Sequence, residues 1–156
     1  MELVKWPFLK QDWGIEFESS KGAYLYTKDG RKVLDAAGGA IVSNIGYGRE
    51  EVAEAITRAV KNNSYILPPF LTPEREALLD ELREHWLPPH LSRIHLSSGG
   101  SEANESAVKL AIQYQNSRGK PEKNTILTRS LSYHGTTLNM SGISGHQARK
   151  RGLESY

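Results

Sequence analysis

The sequence predicts an α/β fold opening on a parallel β-α-β unit, and three stretches lead to it. Arg93 to Ser97 is a short strand pattern that stops at two serines and two glycines. Directly behind them Ala103, Ala107, Leu110, Ala111 and Tyr114 recur at helical spacing, giving one side to bury until Gly119-Lys120-Pro121 closes the helix. Asn124 to Thr128, NTILT, then reads as a second strand. A strand, a helix and a strand in this order imply a right-handed parallel crossover.

The elements before that unit follow in order. Ala23 to Ala36, AYLYTKDGRKVLDA, reads as two short strands around Asp29-Gly30, which suits the positive φ angles of a two-residue hairpin turn. GGAIVSNIGYG, Gly38 to Gly48, is glycine-rich and mostly uncharged: a turn-rich link, or a place where backbone approaches a ligand closely. In REEVAEAITRAVKNN, Val52, Ala53, Ile56, Ala59 and Val60 fall on one helical face. SYILPPFLTP cannot be regular helix, and its Tyr65, Leu67 and Phe70 are expected to pack against something, another chain included. The next helix has Thr72 as N-cap, Pro73 at the first helical position, and Glu74 and Glu76 at the positive end of the dipole. Ala77, Leu78, Leu82 and His85/Trp86 give it a buried side, and Pro88-Pro89 stops it. TTLNMSGISGHQARKRG, after NTILT, reads as a helix weakened by Gly142 and Gly145.

Bulk composition narrows the function classes. The chain has 156 residues, enough for one domain with a core, or a domain and part of another. Its net charge of +2 comes from 20 basic and 18 acidic residues mixed along the chain, which offers no stripe for nucleic acid. No cysteine is present, so disulfides, thiolate catalysis and cysteine-based zinc sites are excluded. MELVKWPFLKQDWG lacks the apolar core of a signal peptide, and no window approaches the roughly 18 apolar residues of a membrane span. A soluble, cytoplasmic protein is expected. His85, His90 and His95 are five residues apart across a helix end, a turn and a strand, a spacing that does not make a metal site.

Two constellations carry chemistry. In SSGGSEANE the first amides of a helix lack partners and the dipole adds partial positive charge. Gly99 and Gly100 permit close approach, and Ser101 adds a hydroxyl: a phosphate cup. The plainer alternative is a capped turn, with Ser98 or Ser101 as N-cap and Glu102 set for the dipole. In SLSYHGTT, after NTILT, Tyr133 can stack on a flat ring, His134 can donate or accept, and Gly135 opens space. The alternative there is a core tyrosine and a capping histidine. Both loops follow strands at the rim where ligands of parallel sheets gather, which suits a flat phosphorylated cofactor. Neither GxxxxGK[ST], GxGxxG nor GxSxG occurs.

The blocks YLYTKDGRKVLDAAGG, NIGYGREEVAEAI, SGGSEANESAVKLA and SYHGTT, with a following SG, occur in an order and spacing that resemble the N-terminal part of a class-III aminotransferase. The resemblance implies an incomplete fold-type-I, pyridoxal-phosphate-dependent transferase. Residues 1–64 would be an N-terminal hairpin and helix segment contributing to the small domain, and 65–156 the opening of the large parallel-sheet domain. It implies cofactor contacts at Gly100, Ser101, Tyr133, His134 and Gly135, with backbone and hydroxyl bonds to the phosphate and Tyr133 against the ring. Gly38 to Val42 and Tyr65 to Phe70 resemble segments near the substrate entrance and dimer interface. The implied reaction moves an amino group from an amine or amino acid to a keto or aldehyde acceptor, in a homodimer, with no metal. In the family the lysine that carries the cofactor lies beyond the position of Tyr156, so no catalytic lysine is assigned here and the chain alone is expected to be inactive. The second reading is a non-catalytic protein that binds a phosphorylated ligand or a partner chain through the same cup.

Overall fold

A computed structural model of the chain describes residues 14–147, Lys150 and Gly152. They belong to two units, Met1–Leu87 and Pro88–Tyr156. The strands β1 (Phe17–Lys21), β2 (Tyr24–Thr27) and β3 (Lys32–Leu34) form an antiparallel sheet in the order β1-β2-β3 in the first unit. β1 lies outside the expected hairpin, since FESSK shows no alternation; it pairs Lys21 with Tyr24 and carries a bulge between Phe17 and Ser19. The expected hairpin forms with Tyr26 opposite Lys32, but not around a two-residue turn. Gly30 N–H donates to the Thr27 carbonyl at 3.0 Å, and Gly30 alone of the loop has positive φ, at +86°. Asp29 therefore does not take the positive φ of a two-residue turn, and the glycine that follows supplies the reversal, the pattern of a longer hairpin loop. Asp29 accepts from Arg31 and Thr27 instead, and these bonds lower its pKa to about 2.

Gly38–Ile41 (α1) is a single turn of the left-handed kind, with φ of 55°, 58°, 58° and 72° along it. Two glycines lower the cost, whereas Ala40 and Ile41 are strained there, at about 1–2 kcal/mol each. Asp35 holds the turn: its carboxylate accepts from Gly39 N–H at 2.7 Å, Ala37 N–H at 3.1 Å and the Tyr47 hydroxyl at 2.6 Å. Two bonds between Gly22 and Tyr47 then tie the following loop to the sheet.

α2 (Glu50–Asn62) and α3 (Pro73–Glu81) stand where the periodicity put them, and Thr72 caps α3 by accepting from Arg75 N–H. A π-helical turn, Leu82–Trp86, follows α3 and ends before the two prolines. The faces expected to be buried are not. Val60, Leu78 and Trp86 are exposed. An apolar stripe fixes which side a helix can bury, but burial requires an opposing element.

The second unit contains α4 (Gly100–Ser117) and α5 (Leu138–Ile143), which pack together. Gly119, at φ +68°, ends α4 as expected, with Lys120 N–H on the Gln115 carbonyl at 3.0 Å. Neither Arg93 to Ser97 nor Asn124 to Thr128 is a strand among the described residues, and the parallel crossover is not formed. A strand exists only through a paired neighbour, and these segments have none among the described residues. α4 leaves Leu110 and Tyr114 exposed for the same reason. α5 is also shorter than TTLNMSGISGHQARKRG suggested, ending at Ile143. Gly145 lies outside it, where a Cβ would stand 2.5 Å from both the Arg129 carbonyl oxygen and Leu131 N. Among the described residues Met140 is the fully buried large side chain, under the 133–137 loop's glycine. No helix of the described residues is long and apolar enough to cross a membrane.

Candidate functional site

α4 begins with Gly99 as N-cap in extended backbone, and no side chain caps it. Neither Ser98 nor Ser101 takes the capping role that a plain capped turn would give it. Ser97 Oγ instead donates back to the Gly99 carbonyl at 3.1 Å. A Cβ on Gly100 would meet nothing within 4 Å, and its backbone does not require glycine. Glycine costs a helix about 0.5–1 kcal/mol against alanine. Neither packing nor backbone geometry accounts for glycine at this position. Glu102 is the acid of the first turn, with Oε2 3.0 Å from where a Gly99 Cβ would lie.

Ser101 is engaged on one side only. Its Oγ accepts from Thr136 N–H at 3.0 Å, which leaves the hydroxyl proton for another acceptor. One turn along, Asn104 Nδ2 donates to the His134 carbonyl at 2.7 Å, and Glu105 accepts from Thr137 Oγ1 at 2.6 Å and Asn139 Nδ2 at 3.2 Å. Thr137 and then Asn139, by donating to it, hold the Glu105 carboxyl below its ordinary range. Residues 101, 104 and 105 share a helical face at i, i+3 and i+4, so one stripe of α4 grips the loop from His134 to Asn139.

The loop carries the remaining sequence-predicted residues. Tyr133 is about half exposed. His134 N–H donates to Ser144 Oγ at 3.0 Å, while its Nε2 is buried without a hydrogen-bond partner. Gly135 has φ +144°, and a Cβ there would fall 2.6 Å from Ser101 Oγ and 3.0 Å from Met140 Cβ. Glycine is thus obligatory where the loop crosses the start of α4. The structure therefore brings Ser101 and Gly135 together at the start of α4, ties His134 to α4 through its carbonyl and Asn104, and sets Gly100 beside them only as the chain neighbour of Ser101. The donors at the start of α4 fit a phosphate ester: uncapped amides and a hydroxyl with its acceptor side filled. Asn104, Glu105, Thr136, Thr137 and Ser144 were missed by sequence reasoning. The signal available was a polar stripe at helical spacing opposite the apolar one.

In the first unit the segments Gly38 to Val42 and Tyr65 to Phe70 are both surface features, with Ile41 and Val42 about four-fifths exposed. Arg75 braces the second from within, donating to the carbonyls of Leu67 at 3.0 Å, Phe70 at 2.5 Å and Ile66 at 2.5 Å.

Comparison with known proteins matches this architecture. The model of the family described as aminotransferase class-III matches residues 10–155. A probable aminotransferase of Mycobacterium tuberculosis is 39% identical over 125 residues, which cover 80% of this chain and 27% of that protein. A transaminase structure from the marine bacterium Virgibacillus superposes with a TM-score of 0.87 at 27% identity, covering 95% of this chain and 35% of the other. An amine transaminase from an uncultivated Pseudomonas species, in its pyridoxal-phosphate-bound form, gives 0.85 at 27% identity, covering 96% and 35%. The present chain thus spans about a third or less of these relatives, and its fold is a portion of the fold-type-I transferase fold. By sequence and by fold, the chain belongs to the class-III aminotransferases.

Proposed function

We propose that this chain supplies the phosphate grip and one wall of the cofactor site in a pyridoxal-phosphate-dependent transaminase. The observation that carries the reading is the start of α4: an uncapped helix whose Gly100 leaves open space and whose Ser101 hydroxyl is oriented by Thr136. In this reading the Gly100 and Ser101 amides and the Ser101 hydroxyl bind and neutralise the phosphate. Tyr133 lies against the ring and keeps water from that face, while His134 and Gly135 shape the same side. When bound, pyridoxal phosphate provides the electron sink for moving an amino group from an amine or amino acid to a keto acid or aldehyde.

Two further assignments rest on the resemblance to the family. Residues 1–64 contribute to a small domain and 65–156 open the large one. The whole protein acts as a homodimer, with Gly38 to Val42 and Tyr65 to Phe70 near the substrate entrance and the dimer interface.

The test is an absorbance titration of the chain with pyridoxal phosphate, repeated against rising inorganic phosphate. Saturable binding that phosphate displaces is expected. Borohydride reduction and mass spectrometry then distinguish ligand held in the cup from ligand attached to a lysine. A chain that binds no pyridoxal phosphate, or binds it with no competition from phosphate, overturns the assignment of the cup.

A further inference from the structure

We infer that the stripe Ser101, Asn104 and Glu105 on α4 is a clamp that fixes the ring-facing loop relative to the phosphate cup, with Glu105 as its positioning residue. This deepens the reading of the cup proposed above. Three hydrogen bonds cross from the stripe to the loop, at Thr136 N–H, the His134 carbonyl and the Thr137 hydroxyl. A fourth links Glu105 to Asn139 in the first turn of α5. Thr137 is the N-cap of α5 but makes no side-chain cap there; its hydroxyl goes to Glu105. The carboxylate thus replaces the missing cap and takes up the positive end of α5.

Glu105 is a full helical turn from Ser101 and has no direct line to a phosphate held at Gly100. It acts through the loop. By pulling Thr137 toward α4 it brings Thr136 N–H onto Ser101 Oγ, and Gly135 allows the loop to pass without a side chain in the way. A ligand that needs only the cup keeps the α4 amides and loses at most the orientation of the Ser101 hydroxyl that Thr136 N–H supplies. A ligand carrying both a phosphate ester and a flat ring depends on the placement of the loop as well, because Tyr133 and the cup must be held at one fixed separation.

The experiment compares wild type, Glu105→Ala and Glu105→Gln, in the full 156-residue chain, with two probes: inorganic phosphate and pyridoxal 5′-phosphate. Amide exchange at Thr136 is followed in parallel without ligand. For Glu105→Ala the expectation is a loss of pyridoxal phosphate affinity of about tenfold, a loss of inorganic phosphate affinity of no more than about threefold, and Thr136 exchange at least about tenfold faster. Glu105→Gln keeps one acceptor oxygen and falls between. Equal losses for both probes would mean that Glu105 merely supports α4, and would overturn the inference, as would no change in either affinity. Where wild type binds neither probe, the cup assignment fails by itself and the clamp is decided by exchange: faster at Thr136 in Glu105→Ala supports it, and unchanged exchange overturns it.

Discussion

Gly135→Ala tests whether the crossing of the loop over α4 is the geometric heart of the site. The new Cβ would stand 2.6 Å from Ser101 Oγ and 3.0 Å from both Ser101 Cα and Met140 Cβ. Those contacts fall short of ordinary van der Waals separation by roughly 0.4–0.8 Å. The Ser101 hydroxyl can rotate, but its backbone and the buried Met140 cannot yield without moving α4 or the loop. Alanine at φ +144° adds about 1–3 kcal/mol of backbone strain, and overpacking adds about 1–3 kcal/mol more. The expected loss is roughly 2–6 kcal/mol, large against the stability of a small domain. Gly100→Ala is the control of opposite sign. It meets open space and helical backbone, so helix stability rises by up to about 0.5–1 kcal/mol while close approach to the cup is lost. Urea unfolding followed by circular dichroism reads the first quantity and pyridoxal phosphate titration the second. A Gly135→Ala chain as stable as wild type, or a Gly100→Ala chain that binds equally tightly, refutes the reasoning at the corresponding glycine.

Three other outcomes are expected. Met140→Ala removes the fully buried large side chain beneath the loop and should cost about 2–5 kcal/mol in chemical denaturation, a claim that an unchanged midpoint would defeat. Thr72→Ala removes the acceptor for Arg75 N–H and should cost about 1 kcal/mol, read as lost helicity; the serine variant should restore it. Asp35 is held below the ordinary carboxylate range by the Tyr47 hydroxyl first, then by the Gly39 and Ala37 amides. Because its folded pKa is depressed, its contribution to the left-handed turn is complete above about pH 4 and disappears as pH falls through the folded value. Exchange at Gly39 N–H should accelerate below pH 4, and Asp35→Asn should abolish that dependence. A flat profile for wild type would show that the carboxylate does not hold the turn.

Where the information is local, the sequence by itself was sufficient. Thr72-Pro73 starts α3 and Gly119 ends α4, because caps depend on a few neighbouring residues. The hairpin appeared in its place, and the glycine-serine start of α4 was legible because only small residues leave helix amides open. The ordered blocks of residues were also enough to identify the family. Other features depend on what lies opposite. Arg93 to Ser97 and Asn124 to Thr128 have strand sequences but become strands only when a neighbour pairs with them. The apolar stripes of α2 and α4 named a face without supplying anything to cover it. Asp35 and Tyr47 are twelve residues apart, and Glu105 and Thr137 thirty-two apart. Nothing in local propensity couples such pairs. Only the folded chain decides that one carboxylate locks a strained turn and the other holds the 134–139 loop against α4, since a hydrogen bond is a property of two groups brought together.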